Sequence, residues 1–240
     1  MNPVQKTFEN VVNKLIRPDK KTIQKRRMMM YFIEAANEII DSEGIENVTI
    51  RKVADIAGYN SATMYNYFEN LDHLIFFTQL KHLKIYVVHL SDYIKDSQNA
   101  LETYYLIWEF FCYHSFQDPL VYHTLFFKQF KQPLRRMMEE YYALFPEELE
   151  GIGEDIQPMV MNQELYQRNL SLLINCMKEG FLQEEDLEEL NEMSLLIYQG
   201  MVQRMLTKQA PYTPKEATRR VMKFIKTYTN MYVISQNSTI

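Results

Sequence analysis

Tyr59, Tyr65 and Tyr67 fall close together in the run DIAGYNSATMYNYFENLDHLI, Asp55 to Ile75, among Asn60, Ser61, Thr63 and Asn66. None of these side chains is charged, yet all hydrogen-bond. A phenol hydroxyl donates to a phosphate oxygen while its ring lies against sugar, and short hydroxyls and amides suit the edges of bases in a major groove. Arg51, a few residues earlier, adds a guanidinium, the best bidentate partner for guanine. The chemistry to expect is recognition of a nucleic acid, and the competing reading is a small helical corner whose tyrosines only cover its core.

Other chemistries find less support. Cys112, His114 and His123 are the nearest thing to a metal set, but residues two apart on a helix diverge, and no HExxH or paired CxxC occurs. Cys112 and Cys176 lie in apolar helical stretches, where buried reduced thiols are the expectation and a disulfide is not. No nucleophile elbow or phosphate-binding glycine loop is present, and Gly151-Ile152-Gly153 lacks the rest of a dinucleotide fingerprint. No enzyme, metal or cofactor is expected.

Positioning the tyrosines requires short helices. Thr49 is a cap-type residue, Ile50, Val53, Ala54 and Ala57 make a two-turn amphipathic helix, and Gly58 permits a sharp reversal. Asn60 then caps a second helix, expected over Ser61 to Tyr67. Two short helices joined by Gly58-Tyr59-Asn60 make a helix-turn-helix. With Met64 and Phe68 turned inward, Ser61, Ala62, Tyr65 and Asn66 face outward. Upstream, a helix from about Ile23 carries Met29, Phe32, Ile33, Ala36 and Ile40 on one face, and Gly44 ends it in a left-handed conformation. Phe8, Val11, Val12 and Leu15 suggest a short helix before that, closed at Arg17-Pro18-Asp19.

The composition is that of a water-soluble all-helical protein, with 47% hydrophobic and 24% charged residues and few Gly or Pro. No apolar run reaches the about eighteen residues of a membrane span, and the N-terminus lacks the apolar block of a signal peptide, so a cytoplasmic location is expected. The net charge of -5 is uneven: Lys14 to Arg27 carries seven cations against Asp19, a local +6 that leaves -11 elsewhere. A cationic end can meet phosphate while the acidic remainder keeps the chain soluble; a solvated linker is the alternative.

The run from Arg27 to Ile75 resembles the DNA-binding domain of the TetR family of transcriptional regulators. The resemblance rests on Ile33, Ala35 and Ala36, on Gly44 and Thr49, on Val53 to Gly58, on Thr63 to Phe68, and on Leu74 and Ile75 at the start of a long fourth helix. It implies that Arg51 reads a base, that Ser61, Ala62 and Tyr65 approach further bases, and that Thr49, Tyr65 and Tyr67 grip the backbone. Asn60, Thr63 and Asn66 complete that set. The family's usual lysine after the phenylalanine is replaced by Glu69-Asn70-Leu71, so Lys25 and its basic neighbours from Lys20 to Arg27 are expected to supply the missing charge neutralisation.

Beyond about Leu80 the similarity holds only in outline. Eleven of the chain's thirty-two aromatics lie between Tyr104 and Phe130. On a helix from about Leu101 to Phe116, Tyr104, Ile107, Trp108, Phe111 and Cys112 share a face, with Tyr105 at its flank. In the family this helix lines an effector cavity, so Tyr104, Tyr105, Trp108, Phe111, Cys112 and Phe127 are the expected effector-binding residues; a solid aromatic core is the competing reading. Glu109, if turned inward, would favour a cationic ligand, but a solvated Glu109 is the simpler expectation. Pro146 to Pro158 reads as a loop, followed by helices at Met159 to Lys178, Asp186 to Lys208, and from Pro214 to about Ile234. Leu190, Met193, Ile197, Gly200, Met201 and Met205 make one apolar stripe, and Val221, Phe224, Ile225, Tyr228 and Tyr232 another. In the family such helices pair with a second copy, which implies a dimer interface at Leu190, Ile197, Met201, Val221, Ile225 and Tyr228; an intramolecular core is the alternative.

The expected architecture is an all-α chain with an N-terminal extension (1–20), a three-helix helix-turn-helix domain (21–70), a C-terminal helical effector and dimerisation domain (71–235) and a tail (236–240). The function implied is a homodimeric regulator, a repressor released from a double-stranded DNA operator by a small, largely apolar effector. A DNA-bound adaptor that recruits a protein partner, with no small-molecule pocket, is the alternative.

Overall fold

Cap residues and apolar stripes set the elements. The structure, a computed structural model, describes residues 19–127, 134–149 and 164–234. Helix α1 spans Lys20–Glu43, earlier than the expected start near Ile23, because Asp19 is its N-cap: the Thr22 amide donates to Asp19 Oδ1 at 2.7 Å. Its buried stripe is Met29, Phe32, Ile33, Ala35, Ala36 and Ile39, whereas Ile40 is half-buried. Gly44 ends it at φ 92° and ψ 156°, positive in φ but extended in ψ rather than left-handed helical, and a Cβ there would lie 2.8 Å from Glu46 Oε2.

Helix α2, Ile50–Ala57, is capped by Thr49, and α3, Ser61–Met64, by Asn60. The second is shorter than the expected Ser61 to Tyr67: the amides of Asn66 and Tyr67 bond three residues back, to Thr63 and Met64 carbonyls, so the helix tightens and stops. There follow α4, Leu71–Ile94; α5, Ala100–Gln117, capped by Asn99; α6, Pro119–Phe127; and α7, Leu134–Leu144. Next come α8, Leu165–Lys178; α9, Leu187–Leu206; and α10, Pro214–Thr229, capped by Thr213. Short 3-10 turns occupy Ile45–Asn47, Pro146–Leu149 and Glu184–Asp186. No strand occurs among the described residues, so the protein is all-α. The expected loop at Pro146 to Pro158 thus begins with a 3-10 turn, and its remainder lies outside the described residues, as do the expected helix from Phe8 to Leu15 and the start of the helix expected at Met159.

Two compact units result, one from residues 1–84 and 129–151, the other from 85–128 and 152–240. In the first, α1 packs on α2 and α2 on α3, around Phe32, Val53, Met64 and Phe68, all fully buried. Ring contacts extend that core through Phe77 to Tyr141 of α7, 5.2 Å between centroids. In the second unit α5 packs on α10 and α8, α8 on α9, and α9 on α10, with Tyr104, Cys112, Phe116, Leu190, Tyr198 and Val221 inside. Both cysteines are free and buried there, and burial pushes the Cys176 thiol up to about 12.

Candidate nucleic-acid interface and buried cavity

The reversal between α2 and α3 turns on Gly58, at φ 77° and ψ 26°, a left-handed conformation that favours glycine. Thr49 accepts from the Lys52 amide at 3.3 Å, and Asn60 Oδ1 accepts from the Thr63 amide at 2.8 Å and its hydroxyl at 3.0 Å. Met64 and Phe68 point inward, fully buried. On the outside lie Thr49, Arg51, Asn60, Ala62, Tyr65 and Asn66, exposed, with Ser61, Thr63 and Tyr67 half-buried. The expected DNA-facing residues of this motif therefore share one surface-accessible corner.

The tyrosines divide by role. Tyr59 and Tyr67 rest on Phe32, with ring centroids 5.6 and 6.1 Å away, and Tyr31 leans on Tyr59 at 6.3 Å. Tyr65 makes no such stack among the described residues and stands 53% exposed. Arg51 is freer still: its side chain is 89% exposed, with Asp55 nearby at 3.9 Å. Sequence reasoning passed over Tyr31, which is half exposed beside Tyr59.

Lys25, expected at the DNA, is engaged within the chain. Its ammonium lies 3.2 Å from Glu140 of α7, and Arg26 pairs with Glu147 while its guanidinium sits 5.5 Å from the Phe145 ring centre. These carboxylates follow more than a hundred residues later, so no local pattern announced them. Of the described cations in the basic stretch, Lys20, Lys21 and Arg27 remain exposed. Lys52 is likewise engaged, 2.6 Å from Glu43.

His73, unremarked in the sequence, is buried beside Glu140. Its Nδ1 accepts from the Glu69 amide at 3.3 Å, which leaves the proton on Nε2, 3.7 Å from Glu140 Oε2. The Phe68 and Phe77 rings meet it edge-on. Burial lowers its pKa from 6.5; Glu140 and Glu69 oppose that shift, and Lys25 and Arg136 add to it. A histidine kept neutral in the fold but free to charge when unfolded favours unfolding as pH falls. Thermal stability is therefore expected to decline as pH drops below about 6.5, and His73→Gln to reduce that decline. A melting series that gave the same slope for both proteins would refute the assignment.

In the second unit the expected effector residues do not converge on one pocket. Tyr104 is fully buried and donates to Ser194 Oγ at 2.9 Å, since that hydroxyl itself donates to the Leu190 carbonyl. Tyr105 donates to Asn230 at 3.1 Å, Cys112 is sealed in the core, and Phe127 packs 6.2 Å from Tyr198. Among the described residues, Trp108 and Phe111 are the two of the six that reach a cavity, walled also by Tyr86, Ile107, Leu165, Arg168, Asn169 and Leu172. At about 30 Å³ it has room for water and not for an organic molecule. The other four are packing residues, because the stripe on α5 is covered by α8, α9 and α10. Glu109 does not face this cavity. It lines an outer groove with Phe110, Tyr113, Lys215, Arg219, Lys223 and Lys226.

The expected dimer interface also needs correction. Leu190, Val221 and Ile225 are at most 1% exposed and Met201 is 8% exposed, so they serve the chain's own core; Ile197 and Tyr228 are half-buried, and Tyr228 donates to Glu189 at 2.5 Å. The apolar residues of the α9 and α10 segment that do face outward are Leu196, Phe224 and Met231, 55%, 51% and 74% exposed. The helical period was legible, but two neighbouring helices had first claim on the stripe.

Among the described residues no three His, Cys, Asp or Glu side chains cluster as metal ligands, and no helix is long and apolar enough to cross a membrane.

With the turn, both caps and the inward pair in place, residues 32–76 match the family described as "Bacterial regulatory proteins, tetR family". That segment is a TetR-family domain. An HTH-type transcriptional regulator of Staphylococcus aureus (strain USA300) is 28% identical over 67 residues, 28% of this chain and 36% of that one. The match thus spans little more than a third of that relative's length. Among solved structures, a putative TetR-family transcriptional regulator from Syntrophomonas wolfei is 13% identical over 88% of this chain and 98% of its own, with a TM-score of 0.58. RolR, in complex with resorcinol, gives 15%, 88%, 90% and 0.57. Thermus thermophilus FadR, a TetR-family repressor in complex with lauroyl-CoA, gives 13%, 88%, 98% and 0.55. At these identities the structures establish the TetR-family fold and leave the ligand of this chain open.

Proposed function

We propose that the protein is a DNA-binding transcriptional regulator of the TetR family. The observation that carries this reading is the corner around Gly58, where two capped helices hold Arg51, Asn60, Ala62, Tyr65 and Asn66 outward above a sealed core. The segment 21–70 supplies the DNA contacts, and 71–235 senses an effector and holds a homodimer in a cytoplasmic repressor. Outward-facing Leu196 and Phe224 support pairing through α9 and α10. A two-fold dimer sets recognition helices about 34–36 Å apart, one turn of duplex. Effector binding then shifts the population toward a dimer with the wrong spacing, weakening operator affinity by the coupling energy between the two sites, about 1–3 kcal/mol. RolR and FadR, each solved with a small-molecule ligand, lend support to the sensing role. One observation favours the alternative, a DNA-bound adaptor for a protein partner: among the described residues the cavity beside Trp108 is only about 30 Å³.

Selection from a randomised duplex library tests the reading. A TetR-like dimer is expected to return two half-sites related by a two-fold axis; recovery of no enriched sequence would overturn DNA reading, and a single half-site would overturn the dimer. On the selected duplex, replacing Lys20, Lys21 and Arg27 with glutamine is expected to flatten the slope of log affinity against log salt, by about 0.9 for each phosphate contact removed. Lys25→Gln is expected to change it less, since Glu140 already holds that ammonium. An unchanged slope in the triple variant would place that stretch off the DNA.

A further inference from the structure

Lys215, Arg219, Lys223 and Lys226, all exposed, recur every three or four residues on α10, so they share one side of that helix over about 16 Å. They line the outer groove that also holds Glu109, between α10 and α5, which pack on each other. The other side of the groove is aromatic. The Tyr93 ring, in the last turn of α4, lies 4.7 Å from Phe110 of α5, and Phe110 lies 4.4 Å from His114. Tyr93 and Tyr113 are each 42% exposed. The groove encloses about 800 Å³, far more than the space beside Trp108.

The charges in it are unbalanced: four cations against one carboxylate, in a chain whose net charge is -5. Arg219 is held by Glu216, its Nε and Nη2 each donating to a carboxylate oxygen at 2.9 Å, and Lys226 sits 5.3 Å from the Tyr105 ring centre. Lys215, Lys223 and Lys226 enter no ion pair among the described residues. A lysine row by itself is a solvated face, and half-exposed rings by themselves carry no sign. Side by side in one groove, they favour an occupant that is apolar on one side and acidic on the other. A small acid has one head group and meets one or two of these cations, because they are strung along the helix and do not converge. A helix with carboxylates four residues apart repeats every 6 Å or so along its axis, the pitch of Lys215, Arg219 and Lys223, and meets the whole row. Single-stranded nucleic acid has the right sign, but its bases need free ring faces. Here the Phe110 ring is already packed against Tyr93 and His114, and Glu109 beside it repels phosphate.

We infer that this groove docks an acidic amphipathic helix of a partner protein, its carboxylates along Lys215, Lys223 and Lys226 and its apolar face on Tyr93, Phe110 and Tyr113. The inference goes beyond the DNA-binding reading, gives the adaptor alternative a surface and a kind of partner, and needs no small-molecule effector. Each exposed ion pair contributes little and is screened by salt, so the rings supply most of the affinity and the cations supply sign and register. Glu109 fixes the orientation: a carboxylate brought to the ring side is repelled, which confines the acidic face of the occupant to α10.

The test uses the full-length protein without DNA and a fluorescein-labelled helical peptide of about sixteen residues, glutamate on one face and leucine on the other. Its comparators are the same peptide with glutamine or lysine in place of glutamate, a scrambled version with no acidic face, and a labelled oligothymidylate of similar length. In anisotropy titrations the glutamate peptide is expected to bind saturably, the glutamine and scrambled peptides about tenfold or more weaker and the lysine peptide not at all, with affinity falling as salt rises. Lys215→Glu combined with Lys223→Glu alters two exposed side chains; it is expected to weaken the glutamate peptide by about tenfold or more and to admit the lysine peptide. Lys178→Glu, at an exposed position outside this groove, is expected to change neither. Tyr113→Ser tests the ring side and is expected to weaken the glutamate peptide by about fivefold. A glutamine or scrambled peptide that binds as tightly as the glutamate one, an unchanged midpoint in the folded double variant, or no saturable binding of the glutamate peptide up to millimolar concentration overturns the inference. Tighter binding of the oligothymidylate overturns it in favour of nucleic acid, and loss in the double variant of a dimer that the parent forms on sedimentation overturns it in favour of a second copy. DNA selection carried out separately distinguishes the readings. Peptide binding by a protein that selects no duplex sinks DNA reading alone, whereas selective DNA binding without peptide binding sinks this groove alone.

Discussion

Trp108→Ala is expected to lower the unfolding free energy by about 3–5 kcal/mol, the loss typical of removing a buried tryptophan and leaving a cavity. Trp108 is 3% exposed and its ring meets Phe111 and Tyr198, with centroids 5.9 and 5.8 Å away. α5 is held by α10 on one side and α8 on another, so the surroundings collapse only partly into the space. A second cost adds to the first: Asn169 Oδ1 loses its indole donor while still buried. Trp108→Phe isolates that part, keeping most of the ring volume and costing about 1–3 kcal/mol through the unmade hydrogen bond. Urea denaturation followed by far-ultraviolet circular dichroism measures both, since the variants lack the fluorophore. A loss under about 1 kcal/mol for Trp108→Ala would mean that the aromatic cluster repacks freely, contrary to the close packing of protein interiors. The same reasoning makes the alanine variant a poor probe of ligand response and the phenylalanine variant a usable one.

What was legible in the sequence follows the range of the interactions. Thr49, Asn60 and Gly58 act within a few residues of themselves, and the caps and the left-handed turn stand where local chemistry demands them. Asp19 acts at the same range and was still misplaced, because Arg17-Pro18-Asp19 reads equally as the end of one helix or the cap of the next. The inward set of α5, Tyr104, Ile107, Trp108, Phe111 and Cys112, follows from a period of 3.6, and all five are buried. Periodicity names a buried face but not what covers it. So Leu190, Val221 and Ile225 serve their own chain, and Tyr104 and Cys112 are sealed away from any cavity found among the described residues.

Charged side chains were harder to place, for a related reason. Arg168 looks like any exposed arginine of an amphipathic helix, and its burial depends on Phe126 and on the packing of α8 against α5. Lys25 and Arg26 belong to a stretch whose local charge suggests DNA, yet Glu140 and Glu147 reach them from the far end of the same unit. The absence of lysine at Glu69-Asn70-Leu71 therefore leaves the helix-turn-helix poorer in free cations than the sequence charge suggested. On the proposed reading, shape and hydrogen bonding at Arg51 and Tyr65 carry more of the recognition.

That places the largest functional effects at those two side chains. Arg51→Ala is expected to cost about 1–3 kcal/mol on the selected duplex and to relax the preference at one base pair, since a bidentate guanidinium distinguishes guanine from other bases. If Tyr65 grips the backbone, as proposed, Tyr65→Phe is expected to cost about 1–2 kcal/mol equally on every sequence, because a bond to phosphate carries no sequence. Neither change threatens the fold: the Arg51 side chain is 89% exposed with its nearest carboxylate at 3.9 Å, and Tyr65 is 53% exposed and unstacked, so unfolding free energies are expected to stay within about 0.5 kcal/mol of the parent. Tyr67→Phe is the informative contrast, its ring held against Phe32 at 6.1 Å and only its hydroxyl removed. Binding titrations on the selected duplex and on a scrambled one measure all three variants. Arg51→Ala losing affinity equally on both duplexes would reassign that arginine from base reading to phosphate, and Tyr65→Phe losing affinity only on the selected duplex would make that tyrosine a base reader. The distinction is a physical one: a bond to a base edge depends on the sequence the groove presents, and a bond to phosphate does not.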